Sequence, residues 1–434
     1  MARSYDQPIR DIVDYVFHYE INDPNAWKSA RVAVLDAIGC AIESVTKSPA
    51  CRALIGPVVP DTAVPNGFKV PGTNHQVDPV KGAFDLGVLI RYLDHNDALW
   101  GAEWGHPSDN LAAILAVSDW LDRAATCGQY THQGPPLTVR TLLTALIKAY
   151  EIQGCYQMKN AFNAFGIDHV ILVKLASASV VAWLLGLTEE QTMATISHVW
   201  MDGHPSRVYR SGNNTIPRKG WAAGDACMRA VHLALLVRAG QPGVPEALSS
   251  KPFGFFAQTF RTEGFVFERP FESWAIQNVL FKTMPVEGHG IAAVEAALTQ
   301  SRRLRAMEVQ DYDDDSVWAR DEEVEAMRAK VIVDVDHNLT RDYHDPDKRS
   351  IGSAVIVHLK NGATLSEVLA EYPVGHVRNP RTAGVVHGKF WGNMRLMFSD
   401  IEIQAVLKSI EDDETKIMEV VNLLSRESPK HSRL

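Results

Sequence analysis

Apolar residues recur at helical spacing through the first two-thirds of the chain. Ile9, Ile12, Val13, Val16 and Phe17 fall at i, i+3, i+4, i+7 and i+8, which predicts a helix with one buried face. Similar runs begin near Ala30 ("ARVAVLDAIGCAIESV"), Leu111 ("LAAILAVSDWLDRA") and Leu142 ("LLTALIKAYEIQGCY"). Another, "VILVKLASASVVAWLLGL", is apolar nearly all round and predicts a helix at the centre of a bundle. It stops at Gly186-Leu187, and Thr188-Glu189-Glu190-Gln191 supplies a capping box for the next helix. Two Pro/Gly-rich breaks, residues 56–79 and 241–254, keep apolar residues interleaved and read as loops rather than disordered linkers. Beyond about residue 300 the pattern changes. "VQDYDDDSVWARDEEVEA" is acidic and reads as solvated, and Val331, Val333 and Val335 then alternate as in a strand. "SAVIVHLKNGATLSEVLAEYP" places Asn361-Gly362 between two alternating runs, a strong hairpin signal. The prediction is a mainly α protein: a large all-helical domain over residues 1–277 and a smaller α+β domain over 278–385. Residues 386–434 return to helix and are expected to pack on the large domain.

Composition narrows the function classes. The 434 residues are 46% hydrophobic and 22% charged, the balance of an ordinary globular protein. The net charge is -9 with no Lys/Arg block, which argues against nucleic acid as a partner. Five scattered cysteines without a CxxC pair speak against a zinc site or an iron–sulfur cluster and suit a reducing compartment. The N-terminal stretch lacks an apolar signal core and no run of 18 apolar residues occurs, so the expectation is a cytoplasmic protein with no membrane partner. No GxGxxG or GxxxxGK[ST] motif is present, and no metal site or cofactor is expected.

Four segments concentrate chemistry. "DHNDALWGAEWGHPSDN" (Asp94 to Asn110) sets Asp94 and Asp97 at the end of one predicted helix and His106 before the next, with Ser108 or Asp109 as a candidate N-cap. Carboxylates at a helix C-terminus oppose the macrodipole, so other groups must compensate them. In residues 200–230, Arg207, Arg210, Arg218 and Lys219 lie in a Gly/Asn-rich loop before a helix predicted to start near Trp221, a pattern that suits an anion pocket or a solvated basic loop. "VLFKTMPVEGHGIAAVEAAL" puts Lys282 and His289 before a helix, suited to a carboxylate, although Lys282 in a surface strand would also simply snorkel. Asp168-His169 open the most apolar helix, a costly place for a charged pair unless paired or functional. Several cations, histidines and carboxylates without a metal motif suit acid–base chemistry on a small polycarboxylate.

These same segments resemble the MmgE/PrpD family, and within it the 2-methylcitrate dehydratases. The likeness runs from "IRDIVDYVFHYEI" through "VPGTNHQVDPVKGAFDLG", "AEWGHPSDNLAAILA", "EIQGC", "GIDHVILVKLAS" and "RKGWAAGDA" to "QNVLFK", and resumes at "DYHDPDKRSI" and "EYPVGH". The resemblance implies a large helical and a small α+β domain, a homodimer, and a tricarboxylate substrate handled without an iron–sulfur cluster. It implies pocket positions at Asp94, His106, His169, Lys219 and Lys282, with Asp97 beside them. Arg210, Arg218 and His289 are further candidates for holding substrate. The expected activity is dehydration of 2-methylcitrate or another alkylcitrate. Two departures keep alternatives open. Ala98 stands where the family pattern has a threonine, which lends support to decarboxylation of a cis-aconitate. The acidic segment around residues 305–330 replaces a strand and helix of the relatives, which would fit a catalytically impaired homologue acting as a binding or partner subunit.

Overall fold

The computed structural model describes residues 4–303 and 321–426. These form two compact units: the first combines residues up to Val279 with those from His387 onward, and the second spans Leu280–Val386. The fold is mainly α, as the periodicity predicts.

The first unit opens with α1 (Gln7–His18), α2 (Pro24–Lys47) and the single turn α3 (Pro49–Arg52). A two-residue antiparallel pair, β1 (Phe68–Lys69) with β2 (Gln76–Val77), leads into α4 (Pro79–Arg91). A second small pair, β3 (Leu99–Trp100) with β4 (Trp104–Gly105), precedes α5 (Leu111–Thr126), α6 (Val139–Lys159), α7 (Val170–Leu184), α8 (Glu189–Val199) and α9 (Arg218–Arg238). Local chemistry sets these starts. Asp23 and Asp78 accept from backbone N–H groups of α2 and α4, each with proline in the first turn. Thr188 and Gln191 form the predicted capping box of α8. The apolar α7 is buried along almost its whole length and packs against α1, α5, α6, α8 and α9. α4 and α9 come closest of all: a Cβ on Gly87 would lie 2.6 Å from the Gly224 Cα, and one on Gly224 would lie 2.6 Å from the Phe84 carbonyl oxygen. That contact holds the C-terminus of α4 beside the N-terminus of α9.

In the second unit α10 (Ile291–Arg303) packs against a hairpin, and α11 (Glu322–Arg328) and α12 (His337–His344) precede that hairpin in the chain. β5 (Ser353–Val355) and β6 (Val368–Ala370) pair antiparallel, with Gly362 in the left-handed region at φ 87°. The Gln300 side chain of α10 donates to the Val355 and Ser366 carbonyls at 3.0 and 2.9 Å. Val331, Val333 and Val335 form no strand; they are 65–87% exposed, because among the described residues this alternation meets no partner strand to bury it. Most of the acidic segment lies outside the described residues, and its end forms α11, which buries no side chain. α13 (Thr382–Met394), α14 (Asp400–Glu411) and α15 (Ile417–Leu424) close the chain, with α15 packed on α5 in the first unit. No helix among the described residues is long and apolar enough to cross a membrane.

Candidate active site

The loop after α4 splits the work of four consecutive residues. Asp94 takes a left-handed backbone, φ 56°, which an aspartate tolerates better than most L-residues. Its two carboxylate oxygens each accept from a cation: Arg91 at 2.5 Å and Lys219 Nζ at 2.7 Å. Asp94 sits at the negative end of α4 and Lys219 at the positive end of α9, so each charge is disfavoured by its own helix and compensated by the other. His95, Asn96 and Asp97 turn into the protein and are buried. The Asn96 amide donates to Ser108 Oγ and Asp109 Oδ1, both at 2.9 Å. Asp97 accepts from the Ser108 hydroxyl (2.6 Å), the Ser108 backbone N–H (3.1 Å) and the Tyr150 hydroxyl (2.7 Å). Burial lifts the Asp97 carboxyl to about 6 against these donors. Both oxygens of Asp97 thus accept hydrogen bonds that hold the loop. Ser108 and Oδ1 of Asp109 are bonded within the loop, and neither residue caps a helix. They lie in a short 3-10 turn, Pro107–Asn110, that precedes α5 without a side-chain cap.

His106 is held at both ring nitrogens. Nδ1 lies 2.7 Å from the Asp97 carbonyl oxygen, which only accepts, so Nδ1 carries the proton. Nε2 then accepts from Arg91 at 2.9 Å. Arg91, 1% exposed at the end of α4, therefore forks between Asp94 and His106.

The second histidine, His169, opens α7 with its ring centroid 5.7 Å from that of His106. Burial drives its pKa down to about 3; Arg210, Arg91 and Arg207 push the same way, and Asp168 opposes them. Asp168 is fully buried, which works against ionisation, but His169 and Arg210 hold its carboxyl at about 2. Arg210 Nε donates to it at 2.6 Å, and Arg207 lies 3.9 Å away. At neutral pH the pair is a carboxylate beside a neutral imidazole. His169 Nε2 and Arg210 Nη2 are buried without a hydrogen-bond partner, as is Asp109 Oδ2, whose carboxyl burial lifts to about 7. Unspent polar atoms of this kind are what a bound polar ligand or water would satisfy.

The structure thus brings Asp94, His106, His169, Lys219 and Arg210 together in the first unit, joined by Arg91. It does not bring Arg218 into that network. α9 begins at Arg218, one turn before Trp221, so the side chain lies on the helix and over the rings of Trp221 (4.2 Å) and Tyr209 (5.2 Å). It faces a separate cavity of about 260 Å³ lined also by Lys174, Asp202, His204 and Asp225. Lys282 and His289 belong to the second unit, where Lys282 is buried and His289, 56% exposed, lies 3.1 Å from Glu287. The sequence reading passed over Arg91. Its signal is a lone arginine in the apolar stretch "LGVLIRYL", one helical turn before Asp94.

A loop-borne carboxylate and two buried histidines thus meet cations at helix ends in a mainly α fold, an arrangement suited to acid–base chemistry on an anionic ligand. Residues 10–268 match the MmgE/PrpD N-terminal domain and residues 304–413 the MmgE/PrpD C-terminal domain. The chain belongs to the MmgE/PrpD family. It is 52% identical to an alkylcitrate dehydratase of a fungal species over 478 residues, covering 98% of this chain and 95% of the relative. It is 48% identical to an alkylcitrate dehydratase of Talaromyces stipitatus, covering 99% of both. Similarity to a 2-methylcitrate dehydratase of Salmonella typhimurium is 41% identity, covering 93% of both.

Proposed function

We propose that this protein is a hydro-lyase that dehydrates an alkylcitrate, 2-methylcitrate or a homologue with a longer chain, to the corresponding 2-alkyl-cis-aconitate without a metal. The observation that carries the reading is the pairing of Asp94, Lys219 and Arg91 beside two buried histidines, in a chain about half identical to alkylcitrate dehydratases.

The reaction removes a proton α to a carboxylate and a hydroxyl from the adjacent carbon. The electron pair of the broken C–H bond becomes the alkene, and the C–O pair leaves with the hydroxyl, which takes a proton and departs as water. Negative charge that builds on the carboxylate is stabilised by cations already in place. Lys219 and Arg210 supply them, and Arg91 fixes Asp94 and His106. His169 Nε2 has no partner, and His169 is the base in the tautomer whose proton sits on Nδ1 beside the Asp168 carboxylate at 3.6 Å, in place of the 3.5 Å contact of Nδ1 with Arg207. A bound tricarboxylate adds negative charge beside it and raises its affinity for the proton. Both Asp94 oxygens accept hydrogen bonds from cations, so the donor to the leaving hydroxyl is the Lys219 ammonium. A dimer of this chain is the working form.

The test is ultraviolet absorbance of the conjugated alkene formed from 2-methylcitrate, with chelator present throughout. Loss of activity to chelator and its return with iron would refute the metal-free mechanism. Product mass separates loss of water from loss of carbon dioxide, the outcome for a decarboxylase. One observation favours a second reading, a homologue that binds without turnover: 478 aligned positions take up 98% of 434 residues, so about fifty positions of the fungal relative have no counterpart here. Calorimetric titration with 2-methylcitrate in the turnover buffer decides it, since binding without turnover supports that reading and turnover removes it.

A further inference from the structure

A buried ionic cluster on α2 and α13 surrounds the residue that follows Asp94. Lys389, on α13, has a side chain 6% exposed and donates to Asp36 Oδ1 on α2 at 2.8 Å. The same Nζ donates to the backbone carbonyl of His95 at 2.7 Å. The His95 imidazole lies 2.7 Å from Glu43 Oε2, which also accepts from Asn393, one turn beyond Lys389 on α13, at 3.2 Å. Lys389 of α13 therefore grips the His95 carbonyl and Glu43 of α2 its ring, with Asp36 and Asn393 bonded to those two side chains. That residue directly follows Asp94, whose left-handed backbone local propensity disfavours. Burying a lysine–aspartate pair is costly, and such a pair adds little net stability relative to an apolar pair of similar volume. Its use here is geometric: it pins the His95–Asn96 peptide by its carbonyl and, through Glu43, the His95 ring, which fixes the chain directly after Asp94.

We propose that Lys389, with Asp36 and Glu43, is a positioning set for the active-site loop, acting through His95 to fix the Asp94 carboxylate. The role rests on the dehydratase reading only for its kinetic consequence; the anchoring of the loop stands apart from it. Misplacing a reacting group by about 1 Å costs on the order of 10²-fold in rate, so loss of the anchor lowers kcat by about 10- to 100-fold with KM little changed.

The experiment compares wild type, Lys389→Met, Lys389→Arg and the double variant Asp36→Asn/Lys389→Met in the full chain. Each is measured by thermal melting, by hydrogen exchange of the peptide covering residues 92–98, and by 2-methylcitrate turnover. Lys389→Met leaves Asp36 buried without its countercharge, so it is expected to melt early. The double variant removes both charges and is expected to recover stability. In that variant loop exchange stays fast and kcat stays low, because the His95 carbonyl still lacks its donor. Lys389→Arg retains charge and donor and is expected to recover part of kcat. A double variant with wild-type loop exchange, or with kcat restored along with melting temperature, overturns the proposal and leaves the cluster as packing alone. Fast loop exchange in the double variant with no turnover by the wild type keeps the anchor and refutes the dehydratase reading instead.

Discussion

Lys219→Ala separates chemistry from stability at this site. Lys219 is 38% exposed and its partner Asp94 24%, so solvent screens the pair and its worth to folding is about 0–1 kcal/mol. Lys219 also sits in the first turn of α9, where a cation is disfavoured by roughly 0.3–1 kcal/mol, and its removal relieves that cost. The two contributions nearly cancel, and the melting temperature is expected to move by no more than a degree or two. Catalysis behaves differently. If the ammonium meets negative charge in the transition state, its loss costs about 2.7–4 kcal/mol, or ~10²–10³ in rate. The assay is the initial rate of alkene formation across a range of 2-methylcitrate concentrations, alongside thermal melts in the same buffer. A kcat/KM within about threefold of wild type would remove Lys219 from the reaction. A fall in activity that tracks a fall in melting temperature would show that the lysine holds the fold, and the assignment would fail.

Arg91→Lys keeps the charge but not the fork, so Asp94 and His106 can no longer be held together; kcat is expected to fall by about 10- to 100-fold. Wild-type kinetics in that variant would show that one contact suffices. Gly87→Ala places a methyl 2.6 Å from the Gly224 Cα, a backbone atom that cannot move aside alone. It is expected to cost about 1–3 kcal/mol in urea unfolding and to lower activity by parting Asp94 from Lys219; an unchanged denaturation midpoint would contradict the close approach. Asp109→Asn removes a buried carboxylate whose pKa burial lifts from 3.8 to about 7. The stability linked to its proton is full below 3.8 and lost as pH rises through 7, so the variant is expected to melt higher than wild type at pH 8 and alike near pH 4. A gain of equal size at both values would refute the buried charge as its cause.

How much of this was legible in the sequence follows from what each signal measures. Periodicity reports burial of a face, and it located α1, α5, α6 and α7 because those helices bury contiguous apolar stripes. The Thr188–Gln191 box is a local hydrogen-bond pattern and needed no tertiary information. Val331, Val333 and Val335 misled because alternation specifies a strand only where a partner and a face exist. Within the site, residue types were legible and directions were not. Asp94 and Asp97 look alike in sequence, yet the first meets two cations while the second is enclosed by Ser108 and Tyr150, a difference set by a 53-residue separation along the chain. Arg218 and Lys219 are neighbours whose side chains leave α9 about 100° apart, so one reaches Asp94 and the other stacks on Trp221. Arg91 and Lys389 were hidden for a common reason: a buried cation inside an apolar helix resembles a surface residue until its carboxylate partner is known. In both cases that partner, or the group beyond it, belongs to the same loop. The cost of burying two cations around four consecutive residues is the strongest physical argument that the position of Asp94 matters more to this protein than the stability lost in fixing it.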